Sequence, residues 1–366
     1  MLTKHHARRR FIKRMIATAA TLSQSTLVTR LRADDTVTKP LAGKVVQWIV
    51  PFSAGGGFDV YSRLLEPFLE KTLDAQIVVK NVPGGGGIVG SKWLMGAAAD
   101  GRTLALINAP GLLVASLTGV ENVPNPVKDF TVLGRISQDK KVWAVGRDST
   151  FHNIQDVLDE AKHRPISFGI TGVGSPNFTC IAVGSHLLGI DPAYVAGFSG
   201  SREASFSAIR GEVELVSFNY ESVLDLIDSG DLRPLLQITT APISDHKSLK
   251  AVPLLGGDDG LAARIASRRG SDPKEADADA ASLASLMGAG RLVVAPLGMD
   301  QDIFINLEHA LHMTLTDPAF VESAGKANRS LNVADSADAL GQLRIAAERL
   351  DRFLPIVKQA IATVRQ

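Results

Sequence analysis

The chain has 366 residues, 45% of them apolar, and a nearly balanced net charge of +1. That length suggests about two domains and leaves room for a large folded core. The single cysteine, Cys180, excludes an intrachain disulfide, and no CxxC pair offers a zinc site, so Cys180 reads as a small buried apolar residue.

Residues 1–33 carry Lys4, Arg8, Arg9, Arg10, Lys13, Arg14, Arg30 and Arg32 and no acid. A short apolar run at 15–22 follows the basic block. This is the layout of a secretory signal, with a cut expected after residues 31–33 (LRA) and a periplasmic destination. Residues 7–15 also resemble a twin-arginine export signal: Arg8, Arg9, Phe11, Ile12 and Lys13 are in place, and Ala7 stands where Ser or Thr is usual. The apolar run is far shorter than the ~20 residues that span a bilayer. Without these eight of the 39 basic residues, 31 remain against 38 acids, a net charge of −7. A nucleic-acid binder would carry a basic stripe instead. Backbone amides can still hold an anion locally.

Residues 44–52 (KVVQWIVPF) predict a strand buried on both faces. A helix follows at 59–71, with Val60, Leu64, Leu65, Phe68 and Leu69 at helical spacing and Pro67 expected to kink it or end its first half. A strand at 75–82, a glycine turn and helix at 83–101, and a strand at 102–108 complete a parallel α/β unit. A proline-rich connection at 122–130 leads to strands at 131–137 and 141–147. Strands at 166–171, 193–198, 213–218 and 232–239 then alternate with helices at 154–163, 178–188, 201–210 and 222–229. Residues 264–281 are charged and alanine-rich and read as a surface excursion. A strand at 290–298 and helices at 303–315 and 339–361 close the chain.

Three glycine loops follow strands and open helices: 53–57 (SAGGG), 84–87 (GGGG) and 171–175 (TGVGS). In open parallel sheets, ligands bind beyond the carboxyl ends of the strands, where the first amides of a helix lack partners. Glycine lets the backbone approach a ligand closely. Three such loops predict a binding cleft suited to a carboxylate or phosphate. Nucleotide readings fail: Gly85, Gly87 and Gly90 fit GxGxxG spacing, but the strand after them ends at Asn108 where an acid is needed, and no phosphate-loop motif is present. Residues 197–201 (GFSGS) miss the GxSxG elbow. His309 and His312 lack a third metal ligand and read as surface residues. Asp59 stands four residues before Arg63 at a helix start, which predicts an ion pair there; the alternative is that it faces the cleft.

The stretches VPFSAGGGFDVYSRLL (50–65), VVKNVPGGGGIVGSKWLMGAAADGRTLAL (78–106), GITGVGSPNF (169–178) and AGFSGSREASFSAIRGEVELVSFNYESVLDLIDSGDLRPLLQIT (196–239) together resemble the tripartite tricarboxylate transporter receptors, also called Bug proteins. The resemblance is specific over 44–239 and looser to the last helix. It implies a type II periplasmic binding protein fold: two α/β lobes joined by a hinge, with a carboxylate held in the cleft between them. The implied ligand residues are Phe52, Ser53, Ala54, Gly55, Gly56, Asp59, Gly85, Gly86 and Asn108 on the first lobe, and Thr171, Gly174, Ser175, Phe178 and Phe198 on the second. Phe178 stands where the family often has histidine, and GFSG replaces PYKG, so that Phe198 replaces a tyrosine. VPLLGGDDG (252–260) is a weakened VPTLAEAG. The two phenylalanines predict a more apolar or aromatic carboxylate, a reading that tight citrate binding would refute.

The expected organisation is lobe 1 at 44–140, lobe 2 at 141–236, and the rest of lobe 1 at 237–366, with hinge crossings near 136–140 and 235–239. The expected function is a monomeric solute receptor that needs no cofactor, metal or catalytic residue. It would pass a small organic carboxylate to membrane transporter subunits. The alternatives are a carboxylate-sensing module for a sensor kinase, an enzyme acting on carboxylates, or a family member that has lost tight binding.

Overall fold

The computed structural model describes residues 39–243 and 246–364; the predicted export signal at 1–33 lies outside them. Apolar strands and amphipathic helices alternate to build two five-stranded sheets. In the first, β1 (Val45–Val50), β2 (Gln76–Asn81) and β3 (Thr103–Asn108) run parallel in the spatial order β2-β1-β3. The crossovers that parallel neighbours require contain α1 (Gly57–Leu73) and α2 (Ile88–Met95). In the second, β6 (Ile166–Ile170), β7 (Pro192–Ala196) and β8 (Leu215–Asn219) repeat that pattern as β7-β6-β8.

The three strands expected to form a parallel unit do so, and each sheet also takes up antiparallel strands. The fourth place in the first sheet is taken by β10 (Arg291–Pro296), antiparallel to both β3 and β4 (Phe130–Ser137). In the second it is taken by β5 (Lys141–Gly146), antiparallel to both β8 and β9 (Leu232–Ile238). The chain reaches β5 from β4 through residues 138–140 alone and leaves the second sheet after Ile238. β5, which arrives from β4 without a crossover helix, runs antiparallel to both β8 and β9. β1 also differs from expectation: Val45 and Gln47 are exposed, so only its second half is buried on both faces. α1 continues through Pro67 without ending.

The segment expected to be a surface excursion is helical. It spans the end of α8 (Leu261–Arg268) and the first half of α9 (Pro273–Gly288). Ile265, Ala266 and Ala280 are buried. Asp272 caps α9 by accepting from the Lys274 amide, with Pro273 in the first turn. The apolar stripe, not the charge content, decides the outcome here. Between these helices and the first lobe lies α5 (Pro176–Leu188), buried over nearly all its length. It packs against α8, α9, α13 (Leu354–Val364) and α3 (Ala109–Leu117), a short apolar helix that the sequence reading did not anticipate. One apolar core therefore runs from the first sheet through α5 to the second. At the other side α10 (Gln301–Thr316) and α11 (Pro318–Lys326) cover α1, and α12 (Ser336–Glu348) packs on β4. No helix among the described residues is long and apolar enough to cross a membrane.

The end of α5 ties this core together. Gly189 has φ +63°, and Arg269 reaches over it to donate to the Leu188 carbonyl at 2.8 Å. A Cβ at Gly189 would lie 1.7 Å from the guanidinium. Gly189→Ala should therefore cost about 1–2 kcal/mol, the left-handed penalty plus the displaced cap. A denaturant midpoint within error of the wild type would refute this.

Candidate functional site

Three helix starts converge where the two sheets meet: α1 behind Gly56, α5 behind Ser175, and α6 (Ser201–Ile209) behind Gly200. With the 3₁₀ turn Tyr220–Ser222 and the first residues of β5 and β10, they line a small cavity. Its apolar wall is Phe52, Phe58, Pro176 and Phe218; the polar residues are Lys141, Thr171, Asn177, Ser201, Asn219, Ser222 and Arg291. Phe52 and Phe58 stack with centroids 4.7 Å apart. Gly57 is demanded by close approach: a Cβ there would lie 2.0 Å from Ser222 Oγ and 3.4 Å from Arg291 Nη2.

The charges at this cavity are buried. Arg291 is 1% exposed, Lys141 3% and Asp139 5%. Asp139 accepts from Lys141 Nζ at 2.6 Å and Asn219 Nδ2 at 3.1 Å, and pairs with Arg291 Nη1 at 2.7 Å. Burial alone would raise the Asp139 carboxyl, but the two cations and the Lys141 and Asn219 hydrogen bonds carry it below the usual carboxylate range. Arg291 also donates to Ser137 Oγ at 2.9 Å, and its guanidinium lies 4.9 Å from the rings of both Phe58 and Tyr61. Two cations and one anion leave one positive charge in excess. A buried unmatched charge costs several kcal/mol, and an anion in the cavity removes that cost.

The helix starts contribute less than their number suggests. Asp59, in the first turn of α1, accepts from the Gly55 amide at 2.9 Å, from Arg63 Nε at 3.0 Å and from Asn81 Nδ2 at 3.0 Å. Burial opposes ionisation of Asp59, and those bonds reverse the effect, so its carboxyl is held below the usual range. Ser175 Oγ caps α5 by accepting from the Phe178 amide, and Pro176 has no N–H to offer. Glu203, in the first turn of α6, accepts from the Ser199 amide and hydroxyl. A helix terminus contributes only about 0.3–1 kcal/mol to an exposed charge, and these three each already have a partner. The full charges of Arg291 and Lys141 therefore dominate.

Of the residues expected at the site, Phe52, Gly56 and Thr171 line the cavity. Asp59 does not; it holds the loop in front of it. Ala54 and Gly55 are exposed. Ser53, Gly85, Gly86, Gly174 and Ser175 form a seam between the lobes, where backbone meets backbone. The Ser53 amide donates to the Ser199 carbonyl at 3.1 Å, and the Gly174 amide donates to the Gly85 carbonyl at 3.2 Å. Asn108 supports that seam by donating to the Gly86 carbonyl at 2.9 Å. Phe178 and Phe198 lie away from the cavity. Phe178 is fully buried against Tyr194, and Phe198 is half-buried over Gly169 in the core of the second lobe. Neither lines the cavity. Sequence reasoning missed Lys141 and Arg291. The available signal was a cation opening an otherwise apolar strand, KVWAVG and RLVVAP.

A second polar contact closes the lobes from the side. Glu221, buried in the 3₁₀ turn, accepts from Tyr61 Oη at 2.6 Å and from the Ser330 amide at 3.2 Å and hydroxyl. Arg329 donates to the Glu221 carbonyl at 2.5 Å. Burial and the neighbouring Glu221 push the Tyr61 phenol well above its usual range, despite Arg291 nearby. It therefore remains a donor.

Two mixed sheets with a cavity at their meeting ends define a two-lobed binding-protein fold. A family model described as tripartite tricarboxylate transporter family receptor matches residues 62–255, more than half of the 366. The chain belongs to that receptor family. It is 26% identical to protein BugT of Bordetella pertussis over 235 residues, 63% of this chain and 72% of that one. The solved structure of the periplasmic binding protein BugD matches with a TM-score of 0.68 at 21% identity, covering 85% of this chain and 97% of that one. An R. palustris protein solved with adipate matches with a TM-score of 0.68 at 19% identity, covering 86% and 97%.

Proposed function

We propose that the protein is a solute receptor that holds a small organic carboxylate between its lobes and releases it unchanged. The observation that carries this is the excess buried cation at the cavity: Lys141 and Arg291 against Asp139 alone. The few polar groups that line the cavity can fix the orientation of a small ligand. The lobes would comprise residues 44–137 with most of the chain after 239, and residues 141–238. They would open about the crossings at 138–140 and 238–240, separating the glycine seam and the Glu221 contacts. The family's description as a transporter receptor supports delivery to membrane transporter subunits. The likeness to BugD supports a periplasmic location, reached through the signal at 1–33, and the likeness to an adipate-bound protein supports a carboxylate ligand.

Thermal unfolding against a panel of small carboxylates tests the reading. A ligand at ~100 times its dissociation constant adds about 2.7 kcal/mol if it binds only the folded form. One acid should raise the midpoint clearly and be recovered unaltered by mass analysis. Consumption of the acid, or no shift with any of them, would overturn the proposal.

A further inference from the structure

We infer that Glu221 latches the two lobes through Tyr61 and Ser330, so that closure is driven in part by the chain itself and not by a ligand alone. This rests on the hinge reading above. Glu221 is 2% exposed and sits in the 3₁₀ turn of the second lobe, directly before Ser222 of the cavity wall. Its Oε2 accepts from Tyr61 Oη at 2.6 Å, and its Oε1 accepts from the Ser330 amide at 3.2 Å and from the Ser330 hydroxyl. Both donors belong to the first lobe, Tyr61 on α1 and Ser330 on the segment after α11. Tyr61 Oη also lies 2.7 Å from the Ser330 carbonyl oxygen. The carboxylate is the stronger acceptor and takes the proton. Arg329 donates to the Glu221 carbonyl, and the carboxylate nearby favours its charge, so the latch carries its own counter-charge.

The seam bonds that also join the lobes, Ser53 to Ser199 at 3.1 Å and Gly174 to Gly85 at 3.2 Å, are neutral backbone pairs. Hydrogen bonds to a carboxylate are shorter and roughly twice as strong as neutral ones. Bond for bond, the latch therefore grips harder than the seam. It also bears on the cavity. Tyr61 follows Gly57 by about one helical turn, and Glu221 adjoins Ser222. Gly57 and Ser222 are the pair whose approach leaves no room for a Cβ. The latch thus holds this wall in place, although neither Glu221 nor Tyr61 lines the cavity. A ligand gains from it without touching it, because the apparent dissociation constant falls as the closed fraction rises.

Hydrogen exchange of the full chain, with no ligand added, tests this at the Ser53 and Gly174 amides, which bond across the seam. In the wild type they should exchange faster than the amides of β3 and β8, because opening the lobes costs less than unfolding them. Tyr61→Phe deletes one oxygen and keeps the ring. It should speed exchange at Ser53 and Gly174 at least about tenfold and leave β3 and β8 within about threefold of the wild type. Glu221→Gln keeps the shape without the charge and should act in the same direction. The double variant should speed exchange by less than the product of the two single effects, because each change alone breaks the same contact. Should Glu221→Gln also speed exchange throughout β3 and β8, and so loosen the fold, Ser330→Ala replaces it in the cycle. Unchanged exchange at Ser53 and Gly174 in Tyr61→Phe, or a double variant that equals the product, overturns the latch and leaves the hinge reading standing. Seam amides that exchange no faster than β3 and β8 in the wild type and the variants alike overturn both.

Discussion

Replacing Asp139 with asparagine is expected to lower stability by about 3–5 kcal/mol, the usual cost of removing one partner from a buried charge group. Asparagine fits the space, so the loss would be electrostatic. Lys141 and Arg291, each less than a tenth exposed, would face one another across the site with no counter-charge among their direct partners. The midpoint of urea unfolding should fall with its slope unchanged. The acid limb should change too. The folded Asp139 carboxyl titrates below its unfolded value. Its contribution is therefore complete above the ordinary aspartate value of about 3.9 and is lost as the pH falls through the folded value. The variant should lack that step. A loss under about 1 kcal/mol, or an unchanged acid limb, would show that the carboxylate is not the counter-ion described here.

Gly86→Val should leave each lobe folded and weaken ligand binding at least about 100-fold, equivalent to about 2.8 kcal/mol. Gly86 has φ +73°, and a Cβ there would lie 2.4 Å from the Ser175 nitrogen and 2.8 Å from the Gly172 oxygen. Both are backbone atoms of the opposite lobe and cannot swing aside as a side chain can. The strained valine would open the seam and separate Phe52 and Gly57 from Thr171 and Asn219 across the cavity. Titration would read the affinity, and small-angle scattering would read a larger radius of gyration for the variant than for the wild type in saturating ligand. Affinity within threefold of the wild type would show that the seam does not govern closure.

The order of strands, helices and glycine loops was legible because period and glycine punctuation are local properties of the chain. The pairing partners of β5 and β10 were not. Nothing local distinguishes an antiparallel newcomer at the fourth place of a sheet from a further parallel strand. The same limit hid the site. Lys141 and Arg291 lie 150 residues apart and meet only because β5 and β10 occupy equivalent places in their sheets. The glycine loops were read as places where backbone approaches a ligand; in the structure Gly86 and Gly172 closely approach each other's loop. Phe178, three residues past the Ser175 cap, is buried in the helix and packs on Tyr194.

The late position of β10 has a consequence for biogenesis. β3 is buried along its whole length and borders β10, as does β4. A chain emerging from its N-terminus completes the entire second sheet before residue 291 exists. Until then β3 and β4 have no shared neighbour, and each presents an unpaired apolar edge of the kind that recruits foreign strands. The residue that closes this gap, Arg291, is also the one that charges the cavity. The nascent protein thus becomes able to take up an anion only when its most aggregation-prone edge is covered.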